Sequence, residues 1–293
     1  MTVYFVLGLG LVVQRLRPLG EQTLAQLSWL VVQVLLPFYL FYSTATTGLD
    51  TLKASPLLVA AGVVVPLYNY LLATFALKAS NVGPEQTSAF RFSVMLANTA
   101  FIGFPVCAAL FGPTGLIYGV MYDFGTTLVM LTFGIYELNG GRVDNWRPLI
   151  FNPLIGSVIA GLLWSLAGWG LPAWLSAPLS ELGKTTLPMA LLVGGAQIGN
   201  IHSSGLRWWR QIGGLTITRL IVCPLILWGV FAVIGWQDLQ ANTVIIMAAM
   251  PVGLTSAIFA KNYGADAEFA ALATFWSTLA VTVTLPAVVF LLV

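Results

Sequence analysis

Two charged side chains stand inside stretches that are otherwise apolar. Asp123 lies in Tyr122-Asp123-Phe124-Gly125-Thr126-Thr127, and Arg219 in Ile217-Thr218-Arg219-Leu220. A carboxylate within a bilayer is costly unless it is paired, protonated or facing water, and such residues mark functional sites. Asp123 therefore reads as a proton-coupling or substrate-orienting group, or else as a structural partner of Arg219 or of a neighbouring hydroxyl. Arg219 stays charged at any biological pH. Its chemistry suits direct binding of an anion, holding Asp123 ionised, or a structural or gating role. Lys261 follows Pro251 by ten residues, where it attracts anions or simply marks the cytoplasmic edge. Lys184 reads as snorkelling from the outer end of a span.

Neutral polar residues gather at two places where a helix is expected to break. One is Asn98-Thr99-Ala100-Phe101-Ile102-Gly103-Phe104-Pro105, in the apolar run 88–110; the other is Met250-Pro251-Val252-Gly253-Leu254-Thr255-Ser256. Proline removes a backbone donor and clashes with the preceding turn, and glycine loosens that turn, so Gly103 and Pro105 are expected to break the first helix. Broken backbone at membrane depth is tolerated only where protein buries it or where it lines a cavity. Interrupted spans at corresponding places in two halves of a chain point to the binding site of a secondary transporter. Half-helices meeting there would aim free N–H donors and partial positive charge at a carboxylate. The Asn98 amide and the Thr99, Thr255 and Ser256 hydroxyls would complete a neutral pocket that holds an anion without a buried cation. Phe101, Phe104, Tyr118 and Tyr122 offer faces for an aromatic acid. The plainer alternative is that proline and glycine only kink packed helices.

These residues need a membrane to sit in. The chain has 293 residues, of which 58% are hydrophobic and 8% charged, with a mean hydropathy of +0.91; a soluble domain carries roughly 25% charged residues. This is an all-α polytopic membrane protein. A net charge of +2 with dispersed basic residues gives no nucleic-acid partner. Cys107 and Cys223 lie in spans without partner spacing, so neither disulfide nor metal is expected, and no cofactor is called for. The run 2–13 lacks a basic flank and a cleavage site, so no cleavable signal is expected; being short for a span, it is completed by residues 14–17 or begins further upstream.

Ten spans are expected, five on each side of a polar loop at 138–147, giving a first repeat over 1–137 and a second over 148–293. Leu36-Pro37 precedes Gly48 by the same interval as Leu187-Pro188 precedes Gly199. Because five is odd, the second copy would be inverted. Basic residues, Arg142 and Arg147 among them, fall in or beside the odd-numbered loops. The central loop is then cytoplasmic and both termini lie outside.

Other classes fit poorly. No G-x-x-x-x-G-K-[ST] stretch is present, so ATP-driven transport by this chain is not expected. Tyr122-Asp123 suggests an intramembrane aspartyl protease, but the later aspartates Asp144, Asp238 and Asp266 fall in loops or at span ends, whereas that chemistry needs two facing carboxylates. The single His202 is also in a loop. The chain is thus not expected to be an enzyme; a non-transporting sensor on a carrier fold is the alternative.

Taken in order, the motifs resemble the auxin efflux carrier family, which includes plant carriers and bacterial organic-acid permeases. The first half is similar in Gly20-Glu21-Gln22-Thr23-Leu24, Leu35-Leu36-Pro37 and Asn98 with Pro105. The second is similar in Asn152-Pro153, Arg219 with Pro224, and Pro251 running to Phe259-Ala260-Lys261-Asn262-Tyr263. The resemblance implies two inverted five-helix repeats with crossed, broken fourth and ninth helices. It also implies a scaffold and homodimer interface made by the first, second, sixth and seventh helices. The other six would move as an elevator. It implies a small organic anion as substrate, with Asn98 as the main carboxylate contact, Asn152 reaching it in one state, and Thr99, Phe101, Pro105, Pro251, Thr255 and Ser256 around it. The carrier would be secondary and an exporter in the plasma membrane, coupled to protons or sodium or driven by potential. The short central loop and Asp123 depart from the plant carriers and favour a prokaryotic or PIN-like member, leaving auxin itself open as the substrate.

Overall fold

The structure is a computed structural model that describes residues 2–46, 55–141, 153–200 and 208–292. Apart from one isolated bridge, the regular elements among them are helices: α1 (Thr2–Leu16), α2 (Glu21–Ala45), α3 (Ser55–Ser80), α4 (Thr87–Met95), α5 (Thr99–Leu138), α6 (Pro153–Leu166), α7 (Ala173–Asn200), α8 (Trp209–Ile234), α9 (Leu239–Ala248), α10 (Ser256–Asn262) and α11 (Ala267–Leu292). Among the described residues, five of these are long and apolar enough to cross a membrane: α2, α3, α5, α8 and α11. Phe5, Trp29, Phe75, Val233 and Phe290 are exposed on the outer surface, as lipid-facing side chains would be. Most of the expected polar central loop, including Arg142, Asp144 and Arg147, lies outside the described residues, as do Asn152 and His202.

Proline acts here less by breaking helices than by widening them. Val31–Leu35 precedes Pro37, Thr99–Gly103 precedes Pro105, and Thr218–Val222 precedes Pro224; each is a five-residue π turn ending two residues before the proline. Proline cannot donate to the carbonyl four residues back and its ring clashes with it; shifting the bonds to i→i+5 removes both problems while keeping the chain helical. The first break accordingly lies upstream of where Gly103 and Pro105 would put it. Leu96 is extended (φ −109°, ψ 126°), and Pro105 sits within the first turn of regular α-helix after the π turn. Further along α5 the chain bends sharply at Gly112 (φ 67°, ψ −159°), a conformation open only to glycine, just before Pro113.

The helices pack in two sets. α1 lies along α7, and α2 packs on α6 and α7; α3 lies along α5 and α4, with α8 against α3 and α11, α9 against α5, and α10 against α11. Glycine lets backbones meet in both sets. Gly10 rests on the Leu192 carbonyl and Gly195 on that of Leu7, while Gly62 meets the Tyr122 carbonyl and Gly125 that of Val59. In a bilayer, where apolar side chains gain nothing by leaving lipid, such close approach is what holds helices together. The first turn of α5 touches α7, so the two sets meet at the break before α5.

Candidate functional site

Two gaps in the helical ladder face each other at the centre of the molecule. α4 stops at Met95 and α5 starts at Thr99; α9 stops at Ala248 and α10 starts at Ser256. Ala97 and Val252 form a single antiparallel bridge. The Asn98 N–H donates to the Pro251 carbonyl at 2.8 Å, and the Gly253 N–H to the Leu96 carbonyl at 3.2 Å. Each break thereby supplies partners the other lacks, which buried backbone requires.

The remaining groups are met from α8 and α11. Ser277 Oγ accepts from the Val252 N–H at 3.1 Å, and Thr274 Oγ1 donates to the Gly253 carbonyl at 3.4 Å. Arg219, wholly buried in the π turn of α8, donates from Nε to the Met250 carbonyl at 3.0 Å and from a terminal nitrogen to the Val94 carbonyl at 2.9 Å. Those carbonyls lie at the C-terminal ends of α9 and α4, where the helix dipoles leave partial negative charge. One guanidinium thus caps two helices. The bonds from Nε and one terminal nitrogen to backbone carbonyls favour the structural role of Arg219 over that of counter-ion to Asp123.

A cavity of about 260 Å³ opens on one side of the bridge. Asn98, Thr99, Phe101, Asp123 and Thr255 line it. Asn98 is buried, and its orientation follows from its bonds: Oδ1 accepts from the Phe101 N–H at 3.3 Å, capping α5, which leaves Nδ2 as the free end. Nδ2 is buried without a partner among the described residues, and a buried donor in that position is a claim on a ligand or water. Asp123, half-buried, lies beside the hydroxyls of Thr99 and Thr127.

The other expected residues lie elsewhere. Pro251 is buried behind the bridge, where its carbonyl is taken by Asn98. Pro105 is buried outside the cavity lining, and Ser256 is buried with its Oγ unpartnered among the described residues. Lys261 is exposed in the last turn of α10 and does not line the cavity. Asp238 and Asp266 are spent as helix caps, accepting from the Ala241 and Phe269 N–H groups at 2.9 Å, so neither serves as a second carboxylate for Asp123. Among the described residues no cluster of side chains is suited to a metal ion.

Among the polar lining residues, Gln33, Thr126 and Thr127 escaped the sequence reading of the site. Gln33 reaches the cavity from the π turn of α2, and Thr126 and Thr127 from α5. Thr127 is spaced one helical turn from Asp123, a signal available in the sequence. Gln33 carries no such mark; only its position four residues before Pro37, inside the widened turn, sets it apart.

Comparison with protein families matches residues 1–144 and 142–289 to the family of membrane transport proteins. The chain is 25% identical to an uncharacterized transporter of Methanothermobacter thermautotrophicus over 98% of its length and 95% of that protein's. It is 23% identical to an uncharacterized transporter of Methanocaldococcus jannaschii over 89% of its length and 87% of the relative's. It is also 28% identical to auxin efflux carrier component 1 of Arabidopsis thaliana, over 46% of this chain and only 22% of the plant protein. Relatives spanning almost the whole chain are transporters, which supports a protein that moves a solute rather than one that transforms it. With five membrane-length apolar helices and matches across both halves, the chain is an integral membrane protein that belongs to the membrane transport protein family, the family of the auxin efflux carriers.

Proposed function

We propose that the chain is a secondary carrier for a small organic anion, bound where the two helix breaks meet. The observation that carries this reading is the buried Asn98 Nδ2, left without a partner among the described residues at the wall of a cavity that Thr99, Asp123, Thr127 and Thr255 also line. The cavity volume of about 260 Å³ suits a small ligand, since pockets for drug-sized molecules start at roughly 300 Å³. The breaks act as the crossing of the fourth and ninth spans in a fold of two inverted five-helix repeats. α1, α2, α6 and α7 form the scaffold and homodimer interface, and α3–α5 with α8–α11 the moving elevator, in keeping with the two packing sets.

Lining residues Met130, Leu131 and Leu154 flank the central loop, so the cavity leads to that side. A second cavity of about 460 Å³, between Tyr39 and Tyr42 of α2 and the Gly112 bend, lies on the opposite side. Loop charge makes the central loop cytoplasmic and the termini external in the plasma membrane, and the direction is export. Proton or sodium gradients, or the membrane potential, supply the drive.

The test is substrate-induced current from purified protein in liposomes, with indole-3-acetate, malate, malonate and a neutral control. A saturable current for one acid, lost in Asn98→Ala, is the expected result. Current unaffected by that substitution would move the site away from the bridge.

A further inference from the structure

We propose, building on the carrier reading above, that the substrate is a zwitterion, an amino acid with an apolar side chain, whose carboxylate meets Asn98 and whose ammonium meets Asp123.

The argument starts from what the cavity lacks. Asp123 is the one charged residue among the described lining residues. The cations nearby are committed: Arg219 to the Val94 and Met250 carbonyls, Arg91 to Glu137 at 3.1 Å and the Tyr70 ring, while Lys261 does not line the cavity. A plain anion entering would face the Asp123 carboxylate with no positive charge between them, in surroundings where like charges repel far more strongly than in water.

The hydroxyls of Thr99 and Thr127 lie beside the Asp123 carboxyl group. The cavity has two poles: the Asp123 carboxylate, with no cation among the described lining residues, and the Asn98 Nδ2, with protons and no acceptor among the described residues. A ligand carrying both an ammonium and a carboxylate satisfies both.

Asn98 and Asp123 line the same cavity, and Thr99, the residue after Asn98, lies beside Asp123. The remaining walls are apolar, with Phe101, Leu131, Leu154, Leu254 and Phe259 around the space a side chain would fill.

The experiment uses the full chain, in detergent for ligand-induced thermal shifts and in liposomes for counterflow. The probes are matched pairs: alanine and propionate, valine and isovalerate, leucine and 4-methylvalerate, phenylalanine and 3-phenylpropionate. At least one amino acid is expected to bind ten-fold or more tightly than its partner without the amine. In Asp123→Asn, an isosteric change checked for unchanged thermal stability, that amino acid should weaken at least ten-fold while the acid without the amine is unaffected or improved. Thr127→Val should weaken the amino acid by a smaller factor. If the acids lacking the amine bind as well as or better than the amino acids, the zwitterion is ruled out and the organic-anion carrier stands. Binding by neither series overturns both readings.

Discussion

The two helix breaks touch each other through one bridge, and they use their polar groups for different ends. At the break before α5, Asn98 and Thr99 turn toward the cavity, one with a free amide, the other with a hydroxyl beside Asp123. At the break before α10 the backbone itself needs help. Its Val252 N–H and its Gly253 and Met250 carbonyls are met by Ser277, Thr274 and Arg219. One break presents chemistry, and the other is anchored so that the first can. This division makes a buried cation useful without placing it in the cavity, and it accounts for so costly a residue as Arg219 at zero exposure.

The sharpest way to break the comparison is to remove the anchor. Arg219→Met leaves two buried carbonyls without donors, at about 1–3 kcal/mol each, and should lower the thermal midpoint by many degrees or abolish accumulation of folded protein. Arg219→Lys can restore at most part of this, because an ammonium lacks the planar fork that reaches both carbonyls. Wild-type stability in Arg219→Met would mean that the crossing holds without its clamp.

The opposite result is expected at Asn98. Asn98→Ser keeps an oxygen to cap α5 through Phe101 without adding a charge, so stability should change by less than about 1 kcal/mol. It removes the amide donors that would meet the substrate carboxylate; transport in liposomes should fall at least ten-fold. If the variant transports normally, the cavity is not the substrate site.

Ser277→Ala should be intermediate. It orphans the Val252 N–H and costs about 1–3 kcal/mol in a thermal scan, with turnover per folded molecule within two-fold of wild type. A large loss of turnover at unchanged stability would show that the anchored break takes part in binding after all.

How far the sequence could be read follows the same division. The regular part of the fold was legible, because long apolar runs and loop punctuation carry it: α2, α3, α5, α8 and α11 fall on expected spans. The polar residues of the first break, Asn98 and Thr99, and the carboxyl of Asp123 in α5 were legible too, since they stand out against apolar neighbours. The clamp was not. That Arg219 would bind carbonyls from α4 and α9 depends on how α8 crosses them, a long-range contact that no local spacing encodes. Nor was the effect of proline at Pro105 legible in detail, because breaking and widening a helix answer the same missing donor. Gln33 was invisible for a related reason: it faces the cavity only because the turn before Pro37 is widened.

The finest test sets threonine against threonine, one from each break. Both line the cavity, but Thr99 is buried with its hydroxyl beside Asp123, whereas Thr255 is exposed and its backbone carbonyl, not its hydroxyl, bonds to the Phe259 N–H. Valine is close to threonine in shape and removes only the hydroxyl. Thr99→Val removes a hydroxyl from beside Asp123 and should reduce apparent affinity in counterflow by several-fold. Thr255→Val removes a group that water can replace and should alter affinity by less than two-fold. The contrast is in affinity at unchanged stability, so it cannot come from a loosened fold. Equal losses in the two variants would mean that the second break also faces the substrate with its side chains, and the separation between a chemical and an anchored break would no longer hold.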